Sequence, residues 1–270
     1  MSNVLHKKIG FLGCGNMGKG ILAGMIRKRI AKPGDIKVYD VISGKLAEIK
    51  KEFKIGIASS IGGLVKSSDI VILAVKPQDL SSAAGEIRPC LNSCHLMVTI
   101  LAGVPIKRIQ KELGAGARVV RAMPNLGATI GEAVTAVTAS RKSDLKTGNE
   151  IFSGCGTVLN LPEKYFDAVT ALSGSGPAYF FYLIELLEQE AVRQGLSENA
   201  AQLLVKQTAK GASLLAWNSE ESASVLRQRV TSKGGTTEAA LNTLVAGNFH
   251  KLFHQAISNA VKRAKKLGRG

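Results

Sequence analysis

The chain has 270 residues, 45% of them hydrophobic and 21% charged, a length that predicts about two domains with cores of their own. Its apolar runs are far shorter than the roughly 20 residues of a membrane-spanning helix. The polar, basic segment 1–8 differs from a signal peptide. Four irregularly spaced cysteines predict neither disulfides nor a metal site. We therefore expect a cytoplasmic protein without a resident metal.

The formal net charge is +16 at pH 7. A basic surface is compatible with nucleic-acid binding. However, the basic residues are spread along the chain, aromatic residues make up only 5%, and no nucleic-acid-binding motif is recognisable. The densest basic run, residues 262–269, is typical of a helix end whose dipole attracts cations. We expect no nucleic-acid or membrane partner, and we expect the positive charge to attract phosphate-bearing cofactors and carboxylate substrates.

Short apolar runs alternate with amphipathic segments over the first 160 residues or so. The runs predict strands at residues 9–13, 36–40, 55–58, 70–75, 96–101, 118–122, 133–138 and 156–161. The amphipathic segments predict helices at residues 16–29, 43–53, 78–87, 106–113 and 143–152. This alternation is typical of an α/β fold with a parallel, doubly wound sheet.

After Pro162 the pattern becomes helical throughout. Pro177 occupies a favoured helix start, with Ser175 or Gly176 as its cap. Residues 179–187 are apolar nearly all round, which predicts a helix buried on several sides. So much apolar surface in a small helical domain predicts that its core is completed by another subunit.

The motif Gly13-Cys-Gly-Asn-Met-Gly18 matches a dinucleotide-binding fingerprint. It follows an apolar strand, opens a helix and precedes Asp40, 22 residues beyond Gly18, at the end of the second predicted strand. Gly13 provides the turn, Gly15 lets a pyrophosphate approach the backbone, and Gly18 lets helix and strand pack closely. We therefore predict a Rossmann-type cofactor site.

Asp40 occupies the place of the acid that binds the adenosine ribose hydroxyls, and its charge would repel a ribose phosphate, which favours NADH. Ser43 and Lys45 follow closely and could bind that phosphate. The sequence therefore leaves the choice between NADH and NADPH open.

Small or turn-forming residues follow the fourth, fifth and sixth predicted strands, at the edge where ligands bind in such sheets. Glycine and proline turns are also common in α/β proteins without any ligand role. The residues that we predict to lie along the dinucleotide are Val75, Lys76, Pro77, Ala102, Gly103 and Asn125.

Far from the cofactor motif, residues 230–237 end in two glycines followed by two threonines, and the run Glu238-Ala-Ala-Leu241 comes next. Glycines let the backbone bend close to a ligand, and the free N–H groups of a helix start favour an anion. This segment is a candidate site for a substrate carboxylate, and a hydroxyl beside it could hold a second polar atom.

Taken in order, the motifs resemble those of the pyrroline-5-carboxylate reductase family over nearly the whole chain. The motifs are Gly-x-Gly-x-Met-Gly, Val-Lys-Pro, Ala-Gly-Val, Met-Pro-Asn, Ser-Gly-Ser-Gly-Pro-Ala-Tyr from Ser173, and Gly-Gly-Thr-Thr. The chain departs from the family pattern at three places. Lys233 replaces a usual Pro, Leu126-Gly127 replaces a usual Thr-Pro, and Ser60 stands where an Asn commonly contacts cofactor.

The resemblance implies reduction of 1-pyrroline-5-carboxylate to L-proline, the last step of proline biosynthesis, with NADP(H) and/or NAD(H). It implies a dinucleotide-binding Rossmann domain, here residues 1–162, followed by an all-α substrate-binding and dimerisation domain, residues 163–270. It also implies interleaved homodimers, often assembled as decamers, with an active site between the cofactor domain and helical-domain residues.

The resemblance further implies the roles of single residues. Ser232, Gly234, Gly235 and Thr236 would bind the substrate carboxylate. Thr237 would hydrogen-bond the ring nitrogen as the catalytic group, and Glu163 matches a substrate-contact position. No His or Lys is an evident proton donor, so the imine binds already protonated or water delivers the proton. The fingerprint residues Asn16 and Met17, with Ser60, complete the expected cofactor contacts.

Two other functions remain compatible with the sequence. A related two-domain dehydrogenase of small hydroxy or keto acids would place a Lys or His acid/base in its helical domain. Lys206 and Lys210 are the available lysines, but neither lies in a recognisable catalytic motif. A relative that binds a dinucleotide without turnover is the second alternative, and the intact Thr236-Thr237 pair argues against it.

Overall fold

We describe residues 5–268 of the protein from a computed structural model. Residues 1–4 and 269–270, which include part of the predicted basic amino-terminal segment and the last arginine of the basic tail, lie outside this description. None of the described helices is long and apolar enough to cross a membrane.

The described part contains eight strands and twelve α-helices, with short 3-10 turns between them. The strands are β1 Ile9–Leu12, β2 Ile36–Tyr39, β3 Gly56–Ile57, β4 Ile70–Leu73, β5 Leu96–Thr99, β6 Arg118–Met123, β7 Ala133–Ala139 and β8 Gly156–Asn160. The helices are α1 Asn16–Arg27, α2 Ser43–Phe53, α3 Ile61–Lys66, α4 Leu80–Ile87, α5 Ile106–Leu113, α6 Leu145–Ser153, α7 Phe166–Val169, α8 Gly176–Arg193, α9 Glu198–Asn218, α10 Ala223–Arg229, α11 Thr236–Ala246 and α12 Phe249–Leu267.

All eight strands form one sheet in the order β3-β2-β1-β4-β5-β6-β7-β8. Neighbouring strands are parallel except β6 and β7, which are antiparallel. The predicted doubly wound sheet is confirmed, with one antiparallel pair that the sequence did not indicate. The strand order reverses between β1 and β4, which is the position where ligands bind in such folds.

Both faces of the sheet are covered, as expected for parallel strands. In β4, Ile70 and Ile72 belong to the core cluster on one face, whereas Val71 and Leu73 belong to the cluster on the other. All four side chains are buried. Helix α1 packs into the first cluster through Ile21, among others. The continuous apolar runs of the sequence therefore correspond to two-sided burial.

Three short helices, α3, α7 and α10, were absent from the sequence prediction. Helix α3 has only six residues and includes two glycines, too short a segment for helical periodicity to be recognised. Ser60 caps it, since its Oγ accepts the N–H of Gly63 at 3.0 Å. Helix α10 is similarly short, and Ser222 caps it in the same way.

The chain divides into two compact units. The first contains the described residues up to Pro177 together with those from Ala260 onward, and the second contains residues 178–259. The carboxyl-terminal end of α12 therefore belongs to the unit that contains the sheet.

The predicted helix start at Pro177 is confirmed to within one residue, since α8 begins at Gly176. Helix α7 continues into a π-helical turn, Thr170–Gly174, and α8 begins at Gly176 after a bend at Ser175. In the π turn, the N–H of Ser175 donates a hydrogen bond to the carbonyl of Thr170 at 2.8 Å. The glycine-rich segment thus bends a nearly continuous helical path at Ser175.

The prediction that residues 179–187 are buried on several sides is wrong for the single chain. Ala201 is the one buried residue of the second unit, so these helices contain almost no core of their own. Large apolar side chains of α8 are 43–65% exposed, namely Phe180, Phe181, Tyr182, Leu183, Leu186 and Leu187. Exposed apolar area on this scale is typical of an interaction surface.

Candidate functional site

The glycine motif forms a tight turn between β1 and α1. Gly13 has a positive φ of +86°, and a Cβ there would lie 2.8 Å from the carbonyl oxygen of Ala74. A Cβ at Gly18 would lie 3.0 Å from the carbonyl oxygen of Gly13. By contrast, a Cβ at Gly15 would meet no atom within 4 Å. Two of the glycines therefore permit close packing, and Gly15 leaves an open approach to the backbone.

A cleft of about 500 Å³ lies beside this turn, at the carboxyl ends of β1, β2 and β4. Helix α1 begins at its rim without a side-chain cap and without an acidic residue in its first turn, so its N–H groups favour a phosphate. A dinucleotide therefore fits the donors and the open face of this cleft. The predicted cofactor residues that line it are Gly13, Gly15, Asp40, Val75 and Lys76.

Asp40 connects the second strand to the glycine turn. Its Oδ2 accepts the N–H of Cys14 at 2.8 Å, and its Oδ1 accepts the N–H of Ile42 at 3.0 Å. Each carboxylate oxygen retains a lone pair for a ribose hydroxyl. The negative charge of Asp40 is therefore held in the cleft by two backbone N–H groups, those of Cys14 and Ile42. Of the two residues that could bind a ribose phosphate, Lys45 lines the cleft and Ser43 does not.

Cys14 lies inside the fingerprint and is buried. Burial, and after it the negative charge of Asp40, raises the pKa of the Cys14 thiol to about 12. The thiol is therefore neutral at physiological pH and is not a nucleophile.

The remaining predicted cofactor residues lie outside the lining of this cleft. The Asn125 side chain caps a 3-10 turn by accepting the N–H of Gly127 and donates to Ser173 Oγ at 3.4 Å. A Cβ at Gly174 would lie 2.5 Å from Met123 Cε. The Met-Pro-Asn and Ser-Gly-Ser-Gly motifs, distant in sequence, are therefore adjacent. The others outside the lining are Asn16, Met17, Gly18, Ser60, Pro77, Ala102 and Gly103.

Glu163 has partners that its sequence context did not reveal. Its Oε1 accepts the N–H of Ile106 at 2.7 Å and a hydrogen bond from Arg121 Nη1 at 2.9 Å. Arg121 is only 5% exposed, and its guanidinium lies 4.7 Å from the centre of the Phe166 ring. Glu163 thus caps α5 and neutralises a buried arginine. Arg121 is a charged residue within a largely apolar strand, and that position could have indicated a buried ion pair from the sequence. It was not identified from the sequence.

Residues 232–235 form a β-turn in the second unit. The N–H of Gly235 donates to the carbonyl of Ser232 at 3.0 Å, and Gly234 has a φ of +74°. A positive φ at the third position alone is typical of a type II turn, whose second position favours proline. Lys233 occupies that second position.

The N–H of Gly234 is also engaged, since it donates to Glu238 Oε2 at 2.7 Å. Glu238 lies in the first turn of α11 and reaches back to the loop, much as in a capping box. Within residues 5–268, the N–H groups of Thr236 and Thr237 have no acceptor. The donors open to an anion are therefore those of the two threonines rather than those of the two glycines.

Thr237 is half-buried at the second position of α11, and Thr236 is exposed. Ser232 Oγ lies close to Gly235, where a Cβ would overlap it. The loop therefore brings together the predicted substrate residues Ser232, Gly234, Gly235, Thr236 and Thr237. Glu163 belongs to the other compact unit.

No group of three or more His, Cys, Asp or Glu side chains that could hold a metal occurs within the part of the chain that the structure describes. His95, near the cysteine pair, accepts the N–H of Asn92 at its Nδ1 and lies 3.1 Å from the Val65 carbonyl at its Nε2. Both ring nitrogens therefore have structural partners.

Comparison with known families gives two matches that divide the chain. Residues 8–103 match a family described as NADP oxidoreductase coenzyme F420-dependent. Residues 163–267 match a family described as pyrroline-5-carboxylate reductase dimerisation. The first match contains the glycine turn and its cleft, and the second contains the 232–237 loop.

Individual relatives cover nearly all of the chain. A pyrroline-5-carboxylate reductase of Methanosarcina acetivorans is 38% identical over 98% of this chain and 99% of its own length. One from Pseudomonas aeruginosa is 36% identical over 96% of each chain. The crystal structure of a Plasmodium falciparum pyrroline carboxylate reductase with NADP bound is 30% identical, with a TM-score of 0.89 over 98% of this chain and 99% of that one.

Proposed function

Because the chain belongs to the pyrroline-5-carboxylate reductase family, we propose that it reduces 1-pyrroline-5-carboxylate to L-proline at the expense of NADH or NADPH. The observation that carries the proposal is the start of α11, where two threonine N–H groups without acceptors in the described chain adjoin the half-buried Thr237 side chain. This arrangement suits a small ring that has a carboxylate next to a polar nitrogen.

The residues of the loop have separate tasks in this proposal. The N–H groups of Thr236 and Thr237, with Ser232 Oγ, bind the carboxylate, because a helix start stabilises an anion. Thr237 Oγ1 accepts or donates a hydrogen bond at the ring nitrogen, whose charge changes as the imine becomes an amine. Fixing the ring in this way supplies the alignment on which the transfer depends.

The first unit holds the cofactor. A nicotinamide dinucleotide, when bound, supplies the hydride that the imine carbon accepts. Gly15 and the start of α1 would receive the pyrophosphate, Asp40 would receive the adenosine ribose, and the turn after β4 would border the remainder. The turn after β5 is assigned to the cofactor by the family resemblance. The proton on the product nitrogen comes from a protonated imine or from water.

The test is oxidation of NADH and of NADPH in the presence of 1-pyrroline-5-carboxylate. We expect wild-type protein to be active. Thr237→Ala loses a hydrogen bond to a charged group, so kcat falls by about 10- to 100-fold. Thr237→Ser restores most of that loss. Thr236→Ala, which keeps its backbone N–H, is the matched control with small effect.

Two outcomes separate the parts of the proposal. Wild-type protein that oxidises neither cofactor with this substrate would rule out the reductase function. Normal activity in Thr237→Ala would remove only the role of that side chain.

We also propose that the second unit assembles as a homodimer, which can associate further into a decamer. The near-absence of buried residues in this unit and the exposed apolar side chains of α8 support the dimer. Light scattering that finds an active monomer would contradict it. From the composition we propose a cytoplasmic location.

A further inference from the structure

The turn that follows β5 is unusually constrained. Residues 101–104 form a β-turn in which the N–H of Val104 donates to the carbonyl of Leu101 at 3.4 Å. Gly103 has a φ of +76°, a conformation that other residues rarely adopt. Ala102 and Gly103 of this turn are two of the residues predicted to border the nicotinamide cofactor.

The carboxyl-terminal end of α12 lies directly against this turn. A Cβ on Gly103 would be 2.8 Å from Leu267 Cβ, 3.0 Å from the carbonyl oxygen of Ala264 and 3.1 Å from the amide nitrogen of Gly268. In the opposite direction, a Cβ on Gly268 would overlap the carbonyl oxygen of Gly103. The two backbones are thus in contact through a pair of glycines.

The side chains in the last turn of α12 are buried where the helix meets the 101–104 turn and exposed elsewhere. Ala264 is 2% exposed, whereas the neighbouring Lys262, Arg263, Lys265 and Lys266 are exposed. The buried side of the helix end therefore faces the turn, and its cations face solvent.

The helix end also adjoins a second turn of the expected cofactor site. Lys266, Leu267 and Gly268 line a cleft of about 380 Å³ together with Pro77 and Val104. Pro77 follows Val75 and Lys76, which line the dinucleotide cleft. One short segment therefore touches the turn that ends β5 and shares a cleft with the turn that ends β4.

From these contacts we infer that residues 264–268 are a positioning element for cofactor binding. They hold the 101–104 turn in its left-handed conformation at Gly103, the conformation that admits the cofactor. Without them the turn samples other conformations, and the apparent affinity falls by the fraction of molecules that remain competent. The inference rests on the proposed function only in the assignment of this turn to the cofactor.

Two truncations of the full-length chain test it. One ends after Lys266 and removes the contacts of Leu267 and Gly268 with the turn, and the other ends after Gly268 and retains them. NADH binding is followed by nucleotide fluorescence without substrate, and hydrogen exchange is measured at the Val104 amide. We expect the shorter chain to bind NADH about 3- to 10-fold more weakly and to exchange faster at Val104. The longer chain should match wild type.

A second pair of variants serves if the shorter chain folds poorly. Gly268→Ala places a methyl group against the Gly103 carbonyl and should weaken NADH binding, whereas Lys262→Ala, at an exposed position outside residues 264–268, should not. In both comparisons KM for the cofactor should rise more than kcat falls.

Several results would overturn the inference. Equal NADH dissociation constants in the two truncations would do so, as would a lower Tm with unchanged cofactor affinity. Absence of NADH and NADPH binding by wild type would overturn it together with the cofactor assignment. If wild type binds NADH but does not reduce the imine, the proposed function fails, and the binding comparison still decides this inference.

Discussion

Arg121 donates a 2.9 Å hydrogen bond to Oε1 of Glu163, the oxygen that also accepts the backbone N–H of Ile106. Three segments distant in sequence thus meet at one oxygen: strand β6, the start of α5 and the segment before α7. Because α5 begins shortly after the 101–104 turn, the pair fixes one end of the loop that we assign to the cofactor.

Arg121→Met should destabilise the protein. The arginine is nearly fully buried, and its removal leaves Glu163 with a single donor, a loss of about 1–3 kcal/mol. At fixed protein concentration we expect Tm to fall by about 3–10 °C. Differential scanning fluorimetry measures this directly. The control is Arg193→Met, which breaks an exposed pair with Glu190 and should leave Tm nearly unchanged.

The same pair separates two roles of Glu163. Glu163→Gln keeps an acceptor for Ile106, so a purely structural role predicts a modest drop in Tm and an unchanged KM for the imine. A substrate contact predicts a raised KM in the same variant. An Arg121→Met protein as stable as wild type would show that the ion pair contributes nothing to folding.

Asp40 should make the enzyme prefer NADH. Two backbone N–H groups hold its carboxylate in the cleft, where a ribose phosphate would meet an immobile negative charge. We expect kcat/KM to be higher with NADH than with NADPH. In Asp40→Asn, the ratio of kcat/KM with NADH to kcat/KM with NADPH should fall by at least about tenfold, equivalent to about 1.4 kcal/mol. Some loss of NADH affinity should accompany it because the glycine turn loses an acceptor.

Lys45→Ala provides the control for this preference. Lys45 lines the cleft and is the cation that the sequence predicted to bind a ribose phosphate. Its removal should reduce activity with NADPH and leave NADH activity largely intact. A wild-type enzyme that uses both cofactors equally, with a ratio unchanged in Asp40→Asn, would show that this carboxylate does not select the cofactor.

Apolar runs and glycine spacing were sufficient to predict the strands and the dinucleotide turn, because both depend on local patterns. The partnership of Arg121 with Glu163 was not predictable in this way, since 42 residues separate them. The engagement of Gly234 by Glu238 required knowledge of a side-chain conformation. The apolar character of helix α8 predicted burial, but no other part of the described chain covers its large apolar side chains.

Lys233→Pro should stabilise the substrate loop. Lys233 is at the second position of a type II turn, and its N–H donates no hydrogen bond within the described residues. Proline at that position reduces the freedom of the unfolded chain and contributes about 0.4–1 kcal/mol. We expect Tm to rise by about 1–3 °C. Lys233→Ala removes the ammonium group without restricting φ, and it should not raise Tm. Equal melting of both variants would contradict the assigned turn.

Cys14 should make stability fall at high pH. Burial raises the pKa of its thiol from 9.0 to about 12. Below pH 9 the thiol is protonated in both folded and unfolded chains, so it contributes no pH dependence. Above pH 9 the unfolded chain ionises first, and the free energy of unfolding declines as pH rises towards 12. Each pH unit in that window is equivalent to at most about 1.4 kcal/mol for this group.

The measurement compares urea midpoints at pH 8 and pH 10.5 for wild type and Cys14→Ala. The substitution removes the titrating thiol, so the difference between the two pH values should be smaller in the variant. Other groups, including Cys155 with its similarly raised pKa, titrate in both proteins and cancel in the comparison. Alkylation at pH 8 gives an independent check, because the exposed Cys94 should react well before Cys14. Rapid modification of Cys14 in the folded protein would contradict the assignment of a buried, neutral thiol.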